Sequence, residues 1–400
     1  MMTMCQLHSI PSSGGRRIFR RRLPGFTLVE LLVSMTILAI LMTLVANVLS
    51  MVQKTWVRTS SRVSQFREAR AAFDTMSRNL GQATLNAYWQ NGFNQLTSDI
   101  IGEARREAVS YVRKSELQFV CGRTDGLFNT GATASNYPGF GVFFQAPLGV
   151  TNFNPTADGV TQADTANMVN LLCGRGYFVS WGDDSAFRPA ILAGVTTVRP
   201  RFRYRLMEYA PPAEANRIYD ADLRPIVPDF GDTTAASVNH SKEWFQDAIS
   251  NTATTGDAAT GHGYTRPVAD NVIALIISPI VEGNNAGNRA PTWIAPNYEF
   301  DSTAVANTGA GLGPQGTQHQ LPPALKLTLV AIDQQTAEIL AEGAAGGTSP
   351  NLLGSSGAGF SMAGSYEADL ETLKTFLTSK HYNFRVFTTV VSLKQAKWSL

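Results

Sequence analysis

A single carboxylate, Glu30, stands at the head of a run that is otherwise uncharged: from Leu31 to Gln53 there is no Asp, Glu, Lys or Arg. At the centre of a bilayer such an acid costs about 2.5–3.5 kcal/mol, and acids within membranes usually have partners. Near one end of a span it can instead snorkel toward water, which is the simpler account. Other groups able to do chemistry are scattered. Cys121 and Cys173, each in Cys-Gly-Arg, either pair as a disulfide in an exported domain or stay as two buried thiols. His8, His240, His262, His319 and His381 form no cluster with zinc spacing, so neither a metal site nor a catalytic histidine is expected. Asp183-Asp184, with Asp220 and Asp222, lack the spacing of a calcium loop. Arg201, Arg203 and Arg205 share one face of an alternating segment, which suits a solvated strand face or pairing with acids across a sheet better than a phosphate grip. Trp89, Trp181, Trp244 and Trp293 read as core packing ahead of a ligand surface.

These residues sit in a chain of 400 with a formal net charge of +2. Five arginines (Arg16, Arg17, Arg20, Arg21, Arg22) crowd the first 25 residues, where no acid occurs. The remainder is slightly acidic, so nucleic acid is not an expected partner. The basic stretch, Pro24-Gly25 and the apolar run together look like an export signal. The run is too long for an ordinary cleaved signal peptide, and no Ala-x-Ala pattern closes it. As a helix it reaches about 34 Å, enough for a hydrocarbon core of about 30 Å. The arginines then stay cytoplasmic and the chain beyond residue 53 lies outside.

Gly25-Phe26-Thr27-Leu28-Val29-Glu30, after a basic stretch and before a long apolar helix, resembles the class III leader of type IV pilins and type II secretion pseudopilins. The resemblance implies cleavage by prepilin peptidase between Gly25 and Phe26, N-methylation of Phe26, and pairing of Glu30 with the amino-terminal amine of a neighbouring subunit. The physics suits that role. An α-amine titrates at about 7.7–8.0 and is mostly charged near neutrality. Within lipid it and a carboxylate relieve each other's desolvation, which sets register more than it adds stability. Gly25 brings a bare backbone to a protease cleft, and Pro24 disfavours helix before it.

No Gly occurs from Phe26 to Leu80 and no Pro from Gly25 to Tyr137, so one helix is expected over 26–80. Beyond the apolar run Val52, Trp56, Val63, Phe66, Ala69, Phe73, Met76 and Leu80 recur at helical spacing. The stripe suits packing on a globular head, which the resemblance implies is a β-sheet, or alternatively a coiled-coil seam. Gly81 offers a left-handed cap. Residues 82–400 read as a β-rich head. Strands are expected at 117–121, 141–144, 176–181, 201–206, 271–277, 325–332 and 384–393, the last in a sheet interior because it is apolar on both faces. Residues 211–268, 284–320 and 341–366 read as loop insertions by their Gly, Ala, Asn, Ser and Pro content. The stretch after the anchor, and Leu321-Pro322-Pro323 before an alternating strand, resemble J-type minor pseudopilins, and the head's length resembles verrucomicrobial pilin-like cassette proteins.

The expected fold is α+β: a leader (1–25), a transmembrane or filament-core helix (26–53), an amphipathic stalk (54–81) and a β-rich periplasmic head (82–400). The expected function is structural and not enzymatic, without cofactor. Prepilin peptidase, other pilin or pseudopilin subunits and the inner membrane are its partners, and a periplasmic or surface filament is its destination. The alternative is a single-span anchored envelope protein whose head binds a ligand or catalyses a reaction.

Overall fold

The computed structural model describes residues 25, 27–93, 97–98, 104–105, 108–128, 135–151, 168–189, 191, 195, 197, 199–219, 242–246, 264–281, 289–309, 311–344, 347–396 and 398. The chain divides into two compact units, Met1–Thr59 and Ser60–Leu400. Helix α1, Leu28–Leu80, begins in the first and ends in the second. Its bounds follow from the absence of breakers and agree with the span expected from sequence.

In the first unit, Leu28–Trp56 is long and apolar enough to cross a membrane. Its large side chains, from Leu28 to Trp56, are exposed. The hydroxyls in this stretch are satisfied by the helix itself. Ser34 donates to Leu31 O at 2.9 Å, Thr36 to Val33 O at 2.8 Å and Thr55 to Met51 O at 2.9 Å. Such back-bonding suits a segment with no water to offer partners.

In the second unit, α1 buries one stripe: Ala69, Phe73, Met76 and Leu80, spaced as one helix face. Phe66 is half-buried beside them. Phe73 meets Phe387 at a ring-centroid distance of 6.2 Å. Phe387 lies in β13 (Phe384–Ser392), which pairs antiparallel with β12 (Ala324–Ile332), itself paired with β10 (Val272–Ile280). The stripe therefore packs on a sheet. The opposite face of that sheet carries α6 (Tyr366–Ser379), through Thr328 Oγ1 to Tyr366 OH at 2.6 Å and Lys326 Nζ to Glu367 at 2.7 Å. Two expectations fail here. β13 is an edge strand of its sheet, not an interior one. Its apolar side chains are only partly covered: Phe387 meets Phe73 of α1, whereas Val390 on the other face is 46% exposed, so an apolar pattern on both faces does not here mark an interior strand. Gly81 is absent from the left-handed glycines. The helix closes instead with Gly81 N donating to Ser77 O at 3.1 Å and Gln82 N to Asn79 O at 3.1 Å.

A six-stranded antiparallel sheet forms the rest of the core, in the order β11-β5-β6-β7-β8-β9. Its strands are β5 (Val120–Arg123), β6 (Phe140–Pro147), β7 (Leu172–Gly182), β8 (Arg203–Tyr209), β9 (Thr265–Asp270) and β11 (Phe300–Asp301). Asn271, at φ 62°, separates β9 from β10 and hands the chain from one sheet to the other; Asn tolerates that left-handed geometry better than most residues. Phe143 stacks on Phe245 with centroids 4.1 Å apart. It leaves no room at Gly176, where a Cβ would sit 2.2 Å from the Phe143 ring.

A hairpin-like pair, β1 (Tyr88–Phe93) and β4 (Ala108–Lys114), follows α1, with short β2 (Thr97–Ser98) and β3 (Ala104–Arg105) between them. The expected strand at 117–121 begins later, at Val120. The remaining helices are short: α2 (Thr124–Phe128), α3 (Glu243–Gln246), α4 (Gln334–Gly343) and α5 (Leu352–Ser356). Segment 341–366, a loop by composition, thus holds the end of α4 and all of α5. Asn351 caps α5 through its side chain to Gly354 N at 3.2 Å, and Gly357 closes it at φ 75°. Small residues concealed a helix that its caps define. Most of 211–268 lies outside the described residues, apart from 211–219, 242–246 and 264–268.

Candidate functional site: the amino-terminal segment

Phe26 and the arginine-rich leader lie outside the described residues; Gly25 and Thr27 onward do not. Gly25 is exposed, and a Cβ there would meet nothing within 4 Å. Among the described residues, packing does not require glycine at this position.

Thr27 and Glu30 form a capping box. Glu30 N donates to Thr27 Oγ1 at 3.3 Å, and Thr27 N donates to Glu30 Oε2 at 3.3 Å. Thr27 Oγ1 adds a bond to Glu30 Oε2 at 3.2 Å. Leu31 N reaches Thr27 O at 3.2 Å, so Thr27 is the residue from which the helix starts. Two of the helix's otherwise unmatched N–H groups are thereby satisfied. The first turn also carries the positive end of the helix dipole, which favours a carboxylate. Threonine three residues before glutamate is a sequence signature of this motif. These bonds use Oε2. A carboxylate can accept about four, so the cap leaves Glu30 with capacity for another donor.

The other residues singled out by sequence are not gathered with these. Cys121 and Cys173 are both free and buried. Cys121 sits on β5 opposite Val142 of β6, and Cys173 on β7 opposite Ala146 of β6. A whole strand, and a four-residue offset along it, separate them. Strands lie about 4.8 Å apart and a disulfide needs Cα atoms within about 7 Å, so of the two alternatives the structure has the two buried thiols rather than the disulfide. Cys121 Sγ lies 3.9 Å from Tyr298 O and Cys173 Sγ 3.4 Å from Val150 O. Burial pushes the Cys121 thiol far above the ordinary range, which makes it a packing residue rather than a nucleophile.

Arg203 and Arg205 are buried, not solvated. Arg205 Nε donates to Asp270 Oδ1 at 3.2 Å, its direct partner across β8 and β9, and Arg203 Nη1 donates to Gln334 Oε1 at 2.6 Å. This is the acid pairing across a sheet that the alternation allowed. Asp184 accepts from Arg188 Nη2 at 2.8 Å and from Arg201 N at 2.9 Å. Burial alone would raise its pKa; the Arg201 amide and the Arg188 guanidinium outweigh burial and hold it below the usual range. Among the described residues no group of three or more His, Cys, Asp and Glu could hold a metal ion. Trp181 and Trp244 are core residues, whereas Trp89 is exposed.

A polar chain ties α1 to the six-stranded sheet. Asn79 Nδ2 donates to Tyr177 OH at 2.8 Å, and that hydroxyl donates to Glu208 Oε1 at 2.8 Å. Arg266 Nη2 closes on Glu208 Oε2 at 2.9 Å. Burial, and then the Glu208 carboxylate, push the Tyr177 phenol well above its ordinary range. The hydroxyl stays protonated and works as a relay between helix and sheet.

Comparison with known families places a match at this end of the chain. Residues 20–46 match the prokaryotic N-terminal methylation motif. Comparison with curated proteins and with solved structures returned no match. The matched span contains Gly25, Thr27 and Glu30 and the first half of the exposed apolar helix. The amino terminus is therefore of the class III prepilin, pilin-like type.

Proposed function

We propose that this protein is a pilin-like structural subunit, a minor pseudopilin or minor pilin of a type II secretion or type IV pilus-like machine. Prepilin peptidase cuts between Gly25 and Phe26 and N-methylates Phe26. The anchored subunit holds its helix in the inner membrane, with the head in the periplasm, until it joins a filament. The neighbouring subunit's amine then takes the free capacity of Glu30. The supporting observation is the methylation motif at residues 20–46, running into a helix whose apolar side chains are exposed among the described residues. A head of some 320 residues is difficult to repeat along a narrow filament, which favours a minor subunit over a major one.

The test separates the cap from the pair. Glu30→Gln keeps the capping geometry, because glutamine also serves at this position, but removes the charge. The proposal expects normal cleavage and lost incorporation into filaments. Incorporation at the wild-type level would reduce Glu30 to a helix cap. One observation favours a second reading, an anchored envelope protein with a binding head: the Thr27–Glu30 box already gives the acid a purpose without any neighbour. Retention of the leader in the native cell would select that reading.

A further inference from the structure

A cavity of about 570 Å³ opens beside β1 and β4, within the ~300–1,000 Å³ range of small-molecule sites. Its wall is unusual for a structural head. Trp89 lines it and is 65% exposed, and Tyr88 beside it is 44% exposed. Trp89 faces Arg113 across the strand pair, with the guanidinium carbon 5.9 Å from the indole centroid. Two pairs further along, Asn91 faces Tyr111, which is 71% exposed. Side chains two residues apart on a strand share a face, so Trp89 and Tyr111 lie diagonally on one face of the strand pair. Exposed aromatic rings in a cluster mark a binding surface more often than scattered apolar residues do.

The polar part of the wall defines the ligand chemistry. Arg113 is held in place: Nη2 donates to Gly316 O at 2.6 Å, and its backbone N and O bond the Gln315 side chain at 2.7 and 2.9 Å. Its buried Nε has no partner among the described residues, and neither has Oε1 of Gln320, which is 9% exposed and lines the same cavity. Both atoms are sealed from solvent, so a ligand reaches them only through a small turn of these side chains, and a group that both donates and accepts then complements the pair. A hydroxyl does; a phosphate only accepts and an ammonium only donates. Arg113 is the one Lys or Arg among the lining residues and no Asp or Glu is among them, so neither a polyanion nor a calcium-bridged ligand is favoured.

We infer that this cavity binds a neutral oligosaccharide, with a sugar ring stacked on Trp89 and its hydroxyls matched by Arg113 and Gln320. The apolar face of a pyranose covers the indole while its rim of hydroxyls meets the amide and guanidinium groups. Tyr111, diagonal to Trp89 on that face, offers a platform for a second ring. This assignment does not depend on cleavage at Gly25 or on assembly.

The full chain, held in an amine-oxide detergent that carries no sugar, is titrated by calorimetry with cellotetraose, maltotetraose and N-acetylated chitotetraose. At least one is expected to bind, with little change on raising salt. Trp89→Ala should weaken binding by at least about tenfold, Trp89→Phe by less, and Gln320→Ala by several-fold. Because Trp89 is exposed, Trp89→Ala is expected to melt with the wild type; should it not, Trp89→Phe and Gln320→Ala carry the test. Lack of binding by all three sugars, unchanged binding in the Trp89 and Gln320 variants, or displacement of the sugar by inorganic phosphate would overturn the assignment. None of these outcomes bears on the amino-terminal proposal, which is read from the processed terminus.

Discussion

The two parts of α1 share a backbone conformation and little else. From Leu28 to Trp56 the helix is apolar nearly all round and its large apolar side chains are exposed. From Phe66 to Leu80 it is apolar on one stripe, the stripe is buried, and Arg67, Arg70, Asp74 and Arg78 lie outside it. One part is shaped for an apolar solvent, the other for an interface with water on its far side. The polar exceptions follow the same division. Glu30 is satisfied by the helix start itself, whereas Asn79 is satisfied by the sheet beneath it.

The largest effect expected from breaking this contrast is on assembly. Glu30→Ala should leave the head's melting temperature unchanged and abolish filament incorporation. A pull-down of sheared filaments measures it, and wild-type incorporation would remove the reason for treating Glu30 as more than a cap. Next comes stability. Phe73→Ala empties a site against Phe387 and should cost about 3–5 kcal/mol in denaturant unfolding of the head. Leu41→Ala, on the uncovered part, should cost the head nothing measurable. Equal effects would mean that the two parts do not differ as described.

Asn79→Ala removes one donor to Tyr177 and should cost about 1–3 kcal/mol, less than Phe73→Ala. Glu68 offers the smallest and most specific test. Burial, and then the Asp270 carboxylate, raise its pKa, against the lowering effect of the Asp270 backbone N–H. With the folded pKa above the unfolded one, its stabilising contribution is complete below the unfolded value and is lost as pH rises through the folded value. Stability should therefore improve slightly as pH falls from neutrality toward the carboxylate range. Glu68→Gln should reproduce that gain at neutral pH, within about 0.5 kcal/mol given solvent screening. A loss of stability in Glu68→Gln at neutral pH would contradict the sign.

How much of this was legible in sequence depended on whether a signal is local and periodic. α1 was expected over 26–80 and spans Leu28–Leu80, since neither Gly nor Pro interrupts it. The strands expected at 325–332 and 271–277 are Ala324–Ile332 and Val272–Ile280. The two-sided apolar pattern of β13 was read as an interior strand because sequence does not say how far each face is covered. Helix α5 hid among Gly and Ser, where only its caps distinguish it from a loop. The separation of Cys121 and Cys173 depends on strand order, a property of the whole sheet. At the amino terminus the motif residues were legible, while Thr27's part in holding Glu30 was written in the same six residues and was missed.

The account rests on Phe26 becoming a terminus. Intact-mass and amino-terminal peptide analysis of the protein isolated from its native membrane tests this most directly. The account predicts a chain that begins at Phe26 and carries one added methyl group on its amine. A chain that still begins at Met1, or at any residue other than Phe26, would contradict it.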